Sequence, residues 1–260
     1  MCGHRAVARE ERHVLAAPPD TIRAVTTLAF AALALTVAIS AFIQGATGMG
    51  FAMIAAPVVA LLDPGLIPVL LLVLMIPLNG YIAWRERSAI DWRGVKWISV
   101  GRFAGTFGGL WILLVVSAHA LNLIIGWATV LAVAAALLAP AFHPNRSALA
   151  SVGVITGVTE TATGVGGPPL ALAYQHGPGA QLRSTIATCF LIGEVVSLAV
   201  LGVSGQIAPG TLVLSAWLLP CVVLGALASR FVHHRLDGPL LRYLVLGFSA
   251  LAGIAVIIGV

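Results

Sequence analysis

Two acids and two cations stand in or at the ends of stretches otherwise too apolar to face water: Glu160, Glu194, Arg102 and Arg183. A charge at the centre of a bilayer costs ~3 kcal/mol on insertion scales, so an acid within a span is a functional candidate by default. Glu160 lies four residues before Gly164 and shares its helical face. A carboxyl withdrawn from water can carry a proton near neutral pH, which makes Glu160 and Glu194 candidate proton-coupling residues. Each has a plainer reading. Glu160 could end a helix facing a vestibule, and Glu194 could form an interhelical ion pair with Arg102. Arg183 precedes Glu194 by 11 residues, three turns along one face. It could draw anions in, or simply anchor a helix end on the cytoplasmic side.

The second group is backbone chemistry. Gly45-Ala46-Thr47-Gly48-Met49-Gly50 interrupts one apolar run, and Thr163-Gly164-Val165-Gly166-Gly167-Pro168-Pro169 interrupts another. A helix broken this way leaves N–H groups without intrahelical acceptors. The half-helix that follows adds a partial positive charge at its N-terminus. Together they can hold an anion without a charged side chain. Glycine admits close approach and proline sets the break. The candidate substrate-binding residues are therefore Gly45, Thr47, Gly48 and Gly50 in the first break, Thr161, Gly164, Gly166, Gly167, Pro168 and Pro169 in the second, and Arg183. Gln44, Thr159, Thr163 and Gln175 are neutral donors flanking the breaks. A helical Thr more often bonds its own carbonyl at i−4. Asn79 and Asn122 read as interhelical glue.

The elements that position these groups follow from composition. Of 260 residues, 60% are hydrophobic and 9% charged, against about 25% charged in a soluble domain. Seven of the charges fall in residues 1–23. The rest of the chain cannot cover a soluble surface, which excludes a soluble enzyme, a nucleic-acid binder and a disordered chain. A bilayer core needs ~20 apolar residues per helix. Long candidate spans fall at about 22–43, 65–84, 97–117, 121–141, 147–163, 184–203, 210–229 and 240–260, with two short broken or re-entrant pieces at about 50–62 and 166–176. The expected fold is an all-α integral membrane protein.

The same 116 residues separate Gly48 from Gly164, Gly50 from Gly166 and Gly109 from Gly225. The chain thus reads as a polar tail (1–21) and one duplicated domain with repeats 22–141 and 147–260. The loop Trp84–Lys96 is basic and belongs inside, whereas its counterpart Val203–Pro209 has no charge and belongs outside. Equivalent loops on opposite sides make the repeats inverted, with ten passages and both termini outside. Residues 1–23, with four Arg and three acids, pull weakly the other way. Inverted repeats with breaks at matching positions point to a transporter's site.

The paired breaks, the Gly164–Pro169 run, Arg183-Ser184-Thr185 and Asp91-Trp92-Arg93 resemble the sulfite exporter TauE/SafE family of membrane transporters, over nearly the whole chain from about residue 28. The resemblance implies export or import of a small sulfur-containing or organic anion, such as sulfite or an organosulfonate, across the plasma membrane of a bacterium. The expected partners are the anion, the lipid bilayer and a coupling ion, with a proton favoured. No cofactor or metal is expected: His233 and His234 are adjacent, and Cys2, Cys189 and Cys221 form no ligand set. Lys96 is the only lysine, so a phosphate-binding loop with its Lys is excluded. Two other classes stay in view. Gly202-Val203-Ser204-Gly205 is similar to the nucleophile motif of intramembrane serine hydrolases, and a non-catalytic scaffold would use the glycines for packing alone.

Overall fold

The computed structural model describes residues 27–138, 145–174, 177–231, 247, 250–251 and 254–258. Among them the chain is helical and contains no strand. Up to residue 231, nine α-helices are bounded among the described residues: α1 Thr27–Thr47, α2 Phe51–Leu62, α3 Val69–Arg85, α4 Trp92–Val115, α5 Ala118–Leu138, α6 Arg146–Thr163, α7 Gly167–Tyr174, α8 Gly179–Val203 and α9 Pro209–Ser229. The interruptions expected near residues 45–50 and 164–169 are real ends: α1 stops at Thr47, α6 stops at Thr163, and the short helices α2 and α7 follow. Among the described residues, four segments are long and apolar enough to cross a membrane: Leu28–Thr47, Trp92–Val115, Gly179–Val203 and Pro209–Ser229. Helix α3 is apolar but shorter, and α6 is diluted by Gly, Ser and Thr. The tail and most of the expected span at 240–260 lie outside the described residues.

The outer face is apolar, unlike that of a soluble protein, and several polar groups are buried with the apolar core. Trp111, Trp217 and Leu224 are about two-thirds exposed (65%, 69% and 66%), while Gln44, Asn79, Arg102, Glu160 and Glu194 are buried. Lipid tails are as apolar as Leu, so nothing drives apolar groups inward, whereas polar groups must find partners inside.

Glycine decides which helices touch. On α4, Gly101, Gly105 and Gly109 recur every four residues and share one face. A Cβ on them would fall on the carbonyls of Ala150, Val154 and Val158 of α6. Reciprocally, a Cβ on Gly153 or Gly157 of α6 would fall on the carbonyls of Ile98 or Arg102. Only hydrogen at these positions lets two backbones meet. The contacts advance together along both helices, so α4 and α6 are parallel. Helices α1 and α9 form a second parallel pair, with Gly225 on the Ala38 carbonyl and Gly45 on Ser229.

Between the pairs, α3 and α8 are antiparallel. Asn79 meets Glu194, and Glu86, one residue past α3, meets Arg183 near the start of α8. Helix α8 runs with α4, since Asp91 bonds Thr185 and Gly193 lies on Arg102. So α4, α6 and α8 point one way, and α1, α3 and α9 the other.

Asp91 ties three elements at one end of the bundle. Its Oδ1 accepts from Arg93 N and Gly94 N (both 3.1 Å), capping α4. Its Oδ2 accepts from the Tyr174 hydroxyl at 2.8 Å, fixing the end of α7. Its N–H donates to Thr185 Oγ1 at 3.0 Å. Asp91→Ala loses the cap and the phenol's charged acceptor, and should cost about 2–3 kcal/mol. Asp91→Asn should recover most of this. Melting temperatures in detergent check the ranking, and equal losses would remove the cap from the account.

Candidate functional site

The two breaks are built alike, residue for residue. Gly48 N–H donates to Gln44 O at 2.7 Å, and Gly164 N–H donates to Glu160 O at 2.7 Å. Gly48 (φ 86°) and Gly164 (φ 76°) are left-handed, the conformation in which glycine ends helices. Thr47 Oγ1 donates to Ile43 O at 2.9 Å, and Thr163 Oγ1 to Thr159 O at 2.7 Å. Each hydroxyl then accepts the next exposed amide, Met49 N at 3.4 Å and Val165 N at 3.2 Å. The recurring motif is Thr-Gly-x-Gly.

They differ one turn earlier. At the first break Gln44 Oε1 accepts the N–H of Phe51, the first residue of α2, at 3.0 Å. At the second break the matching side chain is the carboxylate of Glu160, against which Gly166 lies; a Cβ there would come within 2.8 Å of Oε2. Pro168 and Pro169 carry no N–H, so α7 opens with two fewer donors than α2.

A run of buried polar groups leads inward from each break. Gln44 Nε2 donates to Asn79 Oδ1 at 2.7 Å, and Asn79 Nδ2 donates to Glu194 Oε1 at 2.6 Å. Beside Glu194, Arg102 stacks its guanidinium 5.5 Å over the Phe190 ring and against Gly193. Its Nη2 is paired with Glu160 Oε2. Two bonded runs result, Gln44–Asn79–Glu194 from the first break and Glu160–Arg102 from the second, and they come side by side at Glu194 and Arg102 without a hydrogen bond between them. Thr161 and Ser197 share a hydrogen bond at 2.8 Å alongside it. Among the described residues, Arg102 Nε and Nη1, Glu160 Oε1 and Glu194 Oε2 have no hydrogen-bond partner. Buried polar atoms are seldom left so, and the concentration of charged ones here makes this cluster the candidate site.

The ion-pair reading of the sequence thus applies to the other acid. Arg102 pairs with Glu160, and Glu194 is held by Asn79. The reason is the glycine seam, which sets α6 directly on α4 and brings Glu160 to Arg102. Arg183 is also placed differently from its neighbours in sequence. It lies against Gly48 of the first break, and its Nε donates to both oxygens of Glu86 at 3.0 Å. Arg85 joins them, donating to Glu86 and to the carbonyl of Gly45 at 2.9 Å. Gly45, Gly48 and Arg183 therefore belong to a charged cluster at the end of α3. Gly50 (φ 120°) completes the first break.

Thr161, Gly164, Gly166 and Gly167 surround the second break; Pro169 stands in the first turn of α7, and the side chain of Pro168 lies outside the described residues. Thr47, Thr159 and Thr163 bond their own helices, as common for helical Thr, while Thr161 does not. Ser204 occupies the α8–α9 turn; Gln175, His233 and His234 lie outside the described residues. No group able to hold a metal occurs among the described residues. The sequence reading undervalued Gln44, Asn79 and Arg102. The repeat signal contained part of the answer, because Gln44 and Glu160 are also 116 residues apart.

Apolar spans around two helix breaks and a buried charged cluster define a multi-pass helical membrane protein. A family model described as "Sulfite exporter TauE/SafE" matches residues 32–256, nearly the whole chain, and the protein belongs to that family of membrane transporters. No curated protein and no solved structure matches the chain significantly.

Proposed function

We propose that this chain is a secondary transporter, not an enzyme, that moves a small anion such as sulfite or an organosulfonate across the plasma membrane of a bacterium. It acts as an exporter coupled to protons. The observation that carries the proposal is the pair of matching helix breaks, from each of which a buried polar run leads inward, Gln44, Asn79 and Glu194 from one and Glu160 and Arg102 from the other. Neutral donors at the breaks bind the anion near the midplane, and Glu160 or Glu194 carries the coupled proton. Arg183, beside Gly48, attracts the anion from the loop side and passes it to the first break.

Alternating access comes from two inverted repeats, 22–141 and 147–260, rocking against each other. The packing supports this reading. Helices α1, α3 and α4 correspond to α6, α8 and α9, and each runs opposite to its counterpart. The α4/α6 contact has its counterpart in α9/α1, and α3 faces its own counterpart α8 across the centre.

The test is counterflow of radiolabelled sulfite in proteoliposomes, with sulfoacetate, sulfate and thiosulfate as competitors. Saturable, competed uptake is expected. Absence of uptake with every anion removes the sulfur-anion assignment. Glu160→Gln should abolish the pH dependence of transport while substrate binding stays measurable. An unchanged pH profile would take Glu160 out of the proton path.

A further inference from the structure

We propose that Arg102 is the charged ligand of the transported anion, and that Glu160 occupies it as an internal substitute until the anion displaces it. This rests on the anion-transport reading above and deepens it.

Arg102 is buried in the middle of α4, at 2% exposure. Its guanidinium cannot lose its proton, so the bundle must always supply it with an anion. The supply is incomplete. Glu160 contacts Nη2 through Oε2 alone, while its Oε1 has no partner among the described residues. Arg102 Nε and Nη1 are likewise unpartnered there. Carboxylates usually take a guanidinium edge with both oxygens, and such bidentate pairs are the strong ones. A sulfite, sulfonate or carboxylate group has two oxygens to span an edge that Glu160 holds with one.

The surroundings fit an exchangeable pair. The plane of Arg102 is fixed by Phe190 and by Gly193, where a Cβ would collide with the guanidinium. Glu160 sits one turn before the left-handed Gly164, so small changes at the break swing its carboxylate. The titratable groups facing Arg102 are Glu160 from α6 and Glu194 and Cys189 from α8, while α3 contributes only the neutral Asn79. With both acids ionised the cluster carries one net negative charge and repels a further anion. The anion therefore enters together with a proton on Glu160 or Glu194. This puts the binding charge and the coupling acid in direct competition for one site.

Calorimetric titration of the purified full chain with sulfite tests this. Glu160→Gln removes the substitute and should bind sulfite roughly tenfold more tightly than the wild type, since one charge-assisted hydrogen bond is worth about that much. Arg102→Gln combined with Glu160→Gln removes both partners of the pair and leaves only the acid Glu194, held by Asn79 and able to take up a proton, so the melting temperature should stay near that of the wild type. It should bind about 100-fold more weakly than Glu160→Gln alone. Arg102→Lys keeps the charge without the planar fork and should fall between them; it serves if the double variant does not fold. A merely structural ion pair predicts no gain in Glu160→Gln. Equal sulfite affinity in Glu160→Gln and the double variant would overturn the assignment while leaving anion transport intact. If the wild type and all variants bind neither sulfite, sulfoacetate nor acetate, the small-anion reading itself fails, and this assignment with it.

Discussion

Gly105→Leu should leave little or no folded protein. A Cβ at Gly105 would fall on the carbonyl of Val154 and within 3.0 Å of the Val158 amide. Overpacking against side chains costs about 1–3 kcal/mol because rotamers can give way. Here the obstacle is backbone on both sides, and no rotamer relieves it. The helices must separate, and the contacts at Gly101, Gly109, Gly153 and Gly157 go with them. The loss should therefore exceed 3 kcal/mol by the scale of a single overpacked site, ~1–3 kcal/mol, repeated along the seam. Gly80→Ala is the control, since nothing lies within 4 Å of a Cβ there. That change should be neutral or slightly stabilising through helix propensity. Monodisperse yield and melting temperature in detergent report both. A folded Gly105→Leu protein with a wild-type melting temperature would mean that α4 and α6 do not meet along this face.

Glu160→Leu should be more damaging than Arg102→Leu, although each removes one half of the same pair. Breaking a buried ion pair from one side costs about 3–5 kcal/mol, because the remaining charge loses its hydrogen-bonded partner; Glu194 faces Arg102, but its Oε2 makes no hydrogen bond to it. The two leftovers are not equivalent. A stranded carboxyl can take up a proton and become neutral, whereas a stranded guanidinium stays charged. Arg102 cannot escape to the surface either, being wedged against Gly193 and Phe190. Glu160→Leu is expected at the upper end of the ~3–5 kcal/mol range and Arg102→Leu below it. The double replacement should recover much of the loss. It removes both charges and fills their place with apolar side chains of similar volume. The cycle is read from melting temperatures of the four proteins. Additive losses would show that the two side chains are not paired.

Much of this protein was legible from local residue chemistry. Too few charges to cover a soluble surface meant helices in lipid. The breaks were readable because Gly48, Gly50 and Gly164 dictate backbone conformation where they stand, whatever surrounds them. Their left-handed φ values are a property of residues with no Cβ. The 116-residue offset further related the two breaks before any contact was known.

The site's wiring was decided only by packing. Arg102 had two acids available, on different helices, and the spacing along the chain could not choose between them. The choice was made by five glycines, which press α4 onto α6 and so deliver Glu160 rather than Glu194. Arg183 illustrates the same point. It follows the second break in sequence, yet the antiparallel pairing of α3 and α8 sets it beside Glu86 and the first break. Asn79 read as ordinary glue, and it becomes the link between Gln44 and Glu194 only when three helices close around it. Backbone conformation at a glycine is a short-range property and is written in the residue. Which buried charge meets which is a long-range property, settled by the helix faces that can approach closely enough to exclude everything else.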